Sequence, residues 1–219
     1  WSLNFFMPGG VHKDLPKGFE DKVIEGVEYL RRRFEQYWVA MVENATFELR
    51  CDNVGILKPE DAIRLGATGP VLRGSGIPID VRKDEPYAAY GDLNFEVITE
   101  SACDSMARTK VRYREIGQSL NIMEQVANEI PSGPIRTNVP LFARAKAAEV
   151  LSRVESSRGE LGVHLFTDGG MNPYRVKIHS PTLRNMYVFE RLAELDEILV
   201  ADIPVLINSI DPWYLDSDR

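Results

Sequence analysis

The chain has 219 residues, is 44% apolar, and carries 26 Lys and Arg against 33 Asp and Glu, for a formal net charge of −7. An apolar share of that size supplies a folded core and excludes a disordered chain, and the acidic balance with dispersed basic residues argues against a nucleic-acid surface. The length fits one large domain or two small ones, and no apolar stretch approaches the length of a bilayer span.

From Pro16 the residues Phe19, Val23, Val27, Leu30, Phe34, Tyr37/Trp38 and Met41 recur at three- and four-residue steps, which predicts a long helix ending near Glu43-Asn44. Arg31-Arg32-Arg33 lies inside it, where neighbouring positions point in different directions. Lys58 to Gly66 is a short helix with Pro59 near its start and Gly66 at its end. An irregular, glycine-rich segment follows, in which Gly66, Gly69, Gly74 and Gly76 permit close backbone approaches and Arg73, Asp80 and Arg82 can cross-brace the loop. It has neither the G-x-G-x-x-G nor the Walker spacing, so phosphate binding is not indicated. A second long helix is marked by Met106, Thr109, Tyr113, Ile116, Leu120, Met123, Ala127 and Ile130, with Asp104 as N-cap or first-turn acid. The two stripes predict a bundle core.

Pro131 to Pro140 reads as a loop and Ala143 to Ala148 as a brief helix. Val150 to Glu155 and Leu161 to Thr167 are strands, and Asp168-Gly169-Gly170 turns the chain into Tyr174 to Ile178, giving a small antiparallel hairpin. Thr182 to Leu195 and Ile198 to Ile210 are helices, the second kinked or restarted at Pro204. The fold class that results is α+β, mainly α, with a small antiparallel sheet appended. Cys51 and Cys103 have no neighbours at metal-ligand spacing and fit free thiols in a reducing compartment, and His12, His164 and His179 are isolated and assigned no chemistry. The tail from Asp211 to Arg219 reads two ways: a solvated end, or a paired cluster of Asp216, Asp218 and Arg219 delivered inward by the preceding apolar helix.

Several of these segments together resemble the large subunit shared by respiratory complex I and the membrane-bound NiFe-hydrogenase-like oxidoreductases. Asn4-Phe5-Phe6 with Gly9-Gly10-Val11 is similar to a family stretch in which Met7 replaces an expected Arg. Gly69-Pro70-Val71-Leu72-Arg73-Gly74-Ser75-Gly76, then Asp80-Val81-Arg82 and Pro86-Tyr87, is the most specific match. Asp104, Arg108, Val111-Arg112 and Arg114-Glu115 resemble the family's charged helix, with Cys103 standing for Gly and Ala107 for Asp. Glu155-Ser156-Ser157-Arg158-Gly159-Glu160 resembles its Glu-Ser-x-Arg-Gly-Glu strand. In the hydrogenases an Asp-Pro-Cys-x-x-Cys element near the C-terminus supplies metal thiolates. The matching positions here are Trp213 and Asp216, and an indole with a carboxylate cannot replace soft thiolates.

The resemblance implies a hydrogenase large-subunit-like helical core, with residues 1–219 forming the C-terminal part of a single such domain whose N-terminal part precedes Trp1. It further implies a subunit, inactive alone, of an ion-translocating NADH:quinone oxidoreductase-like complex, peripheral on the cytoplasmic side of the membrane. Asp211, Asp216, Asp218 and Arg219 are the implied residues of the acceptor cavity, with no residue certain as catalytic and none as metal ligand. Arg73, Gly74, Ser75, Gly76, Asp80, Arg82, Arg158 and Glu160 are implied as structural or interface residues. The quinone-like acceptor and a 4Fe-4S cluster are implied as neighbours. The cluster would sit in a small iron–sulfur subunit, with further peripheral-arm subunits and a membrane arm as partners and no nucleic acid. Two alternatives accompany this expectation: a sulfur- or polysulfide-reducing complex, to which the short stretch between Arg136 and Ser152 points, and a purely structural docking scaffold.

Overall fold

The computed structural model describes residues 5–140, 144–194 and 198–217, with the backbone alone for Ser217. Asp218 and Arg219 lie outside the described residues, as do Ala143 and Leu195 at the ends of two expected helices.

Two short strands, β1 (Phe6–Met7) and β2 (Gly10–Val11), pair antiparallel near the start. They are pinned to the loop after the second long helix through Val11 N to Ile135 O at 3.1 Å and Thr137 N to Gly9 O at 2.8 Å. Helix α1 (Phe19–Tyr37) has Glu20 and Asp21 in its first turn, where they complement the helix dipole, and continues into one π turn, Trp38–Val42. Helix α2 (Ala45–Cys51) starts at Asn44, whose side-chain oxygen accepts from the backbone N–H groups of Thr46 and Phe47. The Pro-start and Gly-end signals give α3 (Pro59–Arg64) as expected.

The glycine-rich segment is more ordered than its sequence suggests. It contains two one-turn helices, α4 (Pro70–Arg73) and α5 (Val81–Asp84), each too short for hydrophobic periodicity to register. Helix α6 (Ser105–Glu129) is the second long helix, and Asp104 caps it: Oδ1 accepts from Ala107 N at 2.7 Å while Oδ2 accepts from Asn53 N at 2.8 Å.

The expected hairpin is a three-stranded antiparallel sheet, β3 (Ala148–Ser156), β4 (Gly159–Thr167) and β5 (Arg175–His179), with β4 central. No helix forms among the described residues 144–148, because Ala148 already pairs with Thr167 and donates its N–H to the threonine hydroxyl at 3.1 Å. Alanine's helix propensity is worth a few tenths of a kcal/mol and yields to strand pairing, as an intrinsic preference of that size (~0.5 kcal/mol) commonly does. Helix α7 (Pro181–Ala193) is capped by Ser180, and α8 (Ile203–Ile210) restarts at Pro204 after a short turn at Val200–Asp202. A single turn, α9 (Tyr214–Ser217), follows. Among the described residues no helix is long and apolar enough to cross a membrane.

The main core joins Leu57, Ala62, Ala67, Val71 and Leu72 from the α3–α4 region to Val188 and Leu192 of α7 and Leu206 and Ile210 of α8. A second cluster unites Val42, Cys51 and Met106. The expected bundle core is therefore only partly realised. Helices α1 and α6 pack together, with Arg31 reaching Asn121 and Glu124, yet Leu30, Ile116, Met123 and Ile130 stay more than 40% exposed. Burial along α6 is concentrated at its N-terminal end, in Met106, Ala107, Arg108 and Val111.

The β3–β4 turn is pressed onto the turn before α4. A Cβ added at Gly159, where φ is 127°, would lie 2.6 Å from Gly69 N and 2.8 Å from Thr68. Asn185 of α7 fastens the same junction, accepting from Thr68 N at 3.1 Å and donating to the carbonyls of Thr68 and Arg158. Gly159→Ala combines a strained φ with overpacking and is expected to lower the unfolding free energy by about 3 kcal/mol, as measured by urea titration.

Candidate functional site

A buried guanidinium is tolerated when carboxylates and hydrogen bonds replace the water it has lost. Arg73, at the end of α4, is 1% exposed and meets three carboxylates from three different elements. Its Nε donates to Glu115 of α6 at 2.5 Å, and its Nη1 donates to Glu155 of β3 at 2.8 Å and to the carbonyl of Ile79 at 2.9 Å. Asp80 stands 3.6 Å from the same Nη1. Burial by itself would lower the Arg73 pKa, but Glu115, Glu155 and Asp80 outweigh it and raise it.

Asp80 is held in turn by Arg82, whose Nε and Nη2 donate to its two oxygens at 2.9 and 2.6 Å. The Arg82 guanidinium also lies over the rings of Phe95 and Tyr90, at 5.1 and 5.9 Å. Glu155 accepts from Val81 N at 3.2 Å with its second oxygen, and burial nevertheless pushes its carboxyl up. The cross-brace of Arg73, Asp80 and Arg82 expected from the sequence therefore exists. It needs Glu115 and Glu155, which lie 42 and 82 residues from Arg73 in the chain, to be complete. Close by, Ser75 donates to Leu57 O at 2.8 Å, and Gly74 leaves room for Arg108, whose Cγ would lie 2.7 Å from an added Cβ.

Arg108 is fully buried, yet among the described residues no carboxylate bonds to it. It donates to the carbonyls of Gly55 and Cys103 and to the hydroxyls of Ser105 and Ser209, and burial followed by the charge of Arg112 pulls it down to about 9.

A cleft of about 390 Å³ opens between α6, the β3–β4 turn and the end of α8. Arg112, Glu115, Ile116 and Ser119 line it from α6, Ser156 and Ser157 from the turn, Asp211 from the end of α8, and Arg73, Arg82 and Glu155 from the bracing network. Asp211 is the C-cap of α8, in the left-handed region at φ 57°. It takes long hydrogen bonds from Arg158, at 3.3 Å both to its carbonyl and to its carboxylate, and lies 4.0 Å from Arg112 Nε. Burial first, opposed by Asp211, pulls Arg112 down to about 10.

Beyond Asp211 the tail returns to the N-terminus of α7. Trp213 N donates to the Thr182 hydroxyl at 3.2 Å, Asp216 accepts from Thr182 N at 3.4 Å, and the Arg158 guanidinium lies 5.1 Å from the centre of the Trp213 indole. Glu160 bridges Arg184 at 3.0 Å and Arg153 at 3.4 Å.

Of the acceptor-cavity candidates, Asp211 thus lines the cleft and Asp216 is docked at α7. Arg158 links the cleft's rim to the tail, whereas Arg73, Ser75 and Asp80 are internal braces. Of the cleft's charged side chains, the sequence-based site leaves out Arg112, Glu115 and Glu155. A second arginine one helical turn from Arg108, flanking the buried Val111, is the available sign of a second inward-facing cation.

The family described as respiratory-chain NADH dehydrogenase, 49 Kd subunit, matches residues 2–147 and 141–219. A subunit of the F(420)H(2) dehydrogenase of Methanosarcina mazei is 38% identical over 220 residues, covering 96% of this chain and 58% of that protein. A subunit of the NADH-quinone oxidoreductase of Desulfotalea psychrophila is 36% identical over 216 residues, covering 98% of this chain and 58% of that protein. A chain in the structure of the membrane-bound sulfane sulfur reductase, an archaeal respiratory membrane complex, superposes with a TM-score of 0.91 at 34% identity, covering 98% of this chain and 59% of that one. The chain therefore spans somewhat more than half the length of these relatives.

The bracing network has a pH signature. Burial would raise the Asp80 carboxyl, but the hydrogen bonds of Arg82 and the charge of Arg73 hold it below the ordinary range. A depressed carboxylate contributes stability above its unfolded value, near ~4, and that stability is lost as pH falls through the folded value. Asp80→Asn is expected to cost on the order of 3 kcal/mol at neutral pH. The gap between parent and variant should narrow as denaturation is repeated below about pH 4.

Proposed function

The chain belongs to the respiratory-chain NADH dehydrogenase 49 kDa subunit family, and we propose from that membership that it is a subunit of a membrane-associated oxidoreductase complex, helping to form the cavity in which a quinone or analogous acceptor is reduced. Electrons would arrive from a 4Fe-4S cluster in a small iron–sulfur partner, and the complex would couple their transfer to ion translocation from the cytoplasmic side of the membrane. Cys51 and Cys103 cannot supply a cluster's thiolates. Trp213 and Asp216 likewise cannot hold nickel and iron as paired thiolates do, so the hydrogenase reaction is not proposed.

The observation that carries this reading is Asp211 on the rim of a cleft that also holds Arg112, Glu115 and Glu155. Reduction of a quinone to its hydroquinone consumes two electrons and two protons, so an acceptor cavity needs donors for the oxygens and carboxylates that can hold protons. Glu155, pushed up by burial, is the carboxyl of the cleft best suited to that second role. A sulfur- or polysulfide-type acceptor is the second reading, favoured by the likeness to the sulfane sulfur reductase chain and by the short stretch between Arg136 and Ser152.

The test is Asp211→Asn in the intact complex. Assembly on native gels is expected to persist, with acceptor-dependent turnover reduced about tenfold or more, since the change frees Arg158 and unbalances Arg112. Normal turnover would remove Asp211 from the site, and failed assembly would assign it a structural role.

A further inference from the structure

The three-stranded sheet ends in an open edge. No described strand lies beyond β5, so its outward backbone groups meet no further ladder. At the opposite edge β3 is partly covered, where Glu155 accepts from Val81 N and Arg153 bonds Glu85. The register places Val150, Leu165 and Val176 in one row across the sheet and Ser152, Val163 and Ile178 in the next, all on a single face. Val150 is 52% exposed, Val163 37% and Val176 47%, so this largely apolar face reaches water at the edge.

The other face of the same strand is basic. Arg175 and Lys177 alternate with Val176, are exposed, and form no ion pair among the described residues. The carboxylates that share their face are already engaged: Glu149 by His164 at 2.8 Å, Glu155 by Arg73, and Glu160 by Arg184 and Arg153. In a chain of net charge −7, two uncompensated cations on a five-residue edge strand are a local excess of the minority charge. The two-sided pattern narrows the occupant. A lipid surface touches one side of a sheet, and here the apolar and basic side chains point to opposite sides. A second copy of β5 would set basic against basic. A strand laid along the edge continues both faces at once, and complementarity on the basic side requires that it carry acids.

We propose that the outer edge of β5 receives a strand from another polypeptide of the complex, one in which acidic and apolar residues alternate. Its acids pair with Arg175 and Lys177, its apolar side chains extend the row of Val150, Leu165 and Val176, and its backbone continues the ladder. This inference rests on the reading of the chain as one subunit of a complex and is independent of the acceptor cavity.

The experiment treats the purified complex with a water-soluble carbodiimide, which condenses a lysine ammonium with a carboxylate in contact with it, and sequences the cross-linked peptides. Lys177 is expected to be joined to an Asp or Glu of another polypeptide, within a segment where acidic and apolar residues alternate. Amide hydrogen exchange of the complex supplies the second readout. Arg175→Glu combined with Lys177→Glu, both on an exposed strand, is expected to speed exchange across β5 about tenfold or more while the pairing of β3 with β4 keeps its protection. A cross-link from Lys177 only to a carboxylate of this chain, or to a segment without that alternation, overturns the inference, as does β5 exchange that the double variant leaves unchanged. Binding to phosphatidylglycerol vesicles that the double variant loses, with no such cross-link, assigns the basic row to lipid and overturns the strand. A chain that purifies with no other polypeptide overturns the subunit reading and the inference with it, whereas co-purification without the cross-link overturns the inference alone.

Discussion

One buried cation sets the geometry of this region. Arg73 is closed off from water, and a guanidinium in that position is tolerable only because carboxylates on α5's cap, α6 and β3 converge on it. Convergence of that kind works in both directions. Glu115 and Glu155 would themselves be expensive to bury without Arg73, so the spacing between α6 and β3 is fixed by the length of two hydrogen bonds rather than by apolar packing. The cleft lies in the gap those two elements leave, and its width follows from the ion network beneath it.

Arg108 is a second strut, built on a different principle. With carbonyls and hydroxyls but no carboxylate as hydrogen-bond partners among the described residues, it ties α6 to the loop at Gly55, to Cys103 and to Ser209 of α8. Two glycines make room for it: an added Cβ at Gly74 would strike its Cγ, and one at Gly55 would lie 3.2 Å from its Nη2. Cys103 sits at φ 66°, in the left-handed region that glycine occupies freely, and the resembling family has glycine at this position. Its carbonyl accepts from Arg108 at 3.2 Å, and partial burial raises the pKa of its thiol, the opposite of what a reactive thiolate needs.

Long, locally coded elements are legible in the sequence. The stripes of α1 and α6, the Asp104 cap, the Pro59 and Pro204 starts, and the strands β3 and β4 each leave their signal within a window of about a dozen residues. The one-turn helices α4 and α5 are shorter than any such window, and the helix expected at Ala143 to Ala148 rests on alanine propensity that pairing with Thr167 overrides. The site is legible only in part for a related reason. Arg73, Asp80 and Arg82 lie within ten residues of one another and can be read together, whereas Glu115 and Glu155 join them through long-range contacts that no spacing rule reports. The exposed apolar faces of α1 and α6 show the converse limit: periodicity marks which residues share a face, but not whether anything in the chain covers it.

The tail shows how a segment can be located once its family's usual anchor has changed. In the resembling hydrogenases the positions of Trp213 and Asp216 carry thiolates, and a shared metal would fix both at once. Here each position has its own contact with α7: the Trp213 backbone N–H reaches the Thr182 hydroxyl, and the Asp216 carboxylate takes Thr182 N at the helix N-terminus, where the unpaired N–H groups and the dipole favour negative charge. The Trp213 indole meets Arg158 from the β3–β4 turn, and Arg158 also holds Asp211. These are individually weak interactions, with hydrogen bonds to Thr182 of 3.2 and 3.4 Å, so the segment is held by their number and by the rigid elements they reach. A carboxylate at position 216 is therefore explained without assigning it any chemistry: it completes the first turn of α7, and in doing so keeps the chain that follows Asp211 folded back beside the cleft.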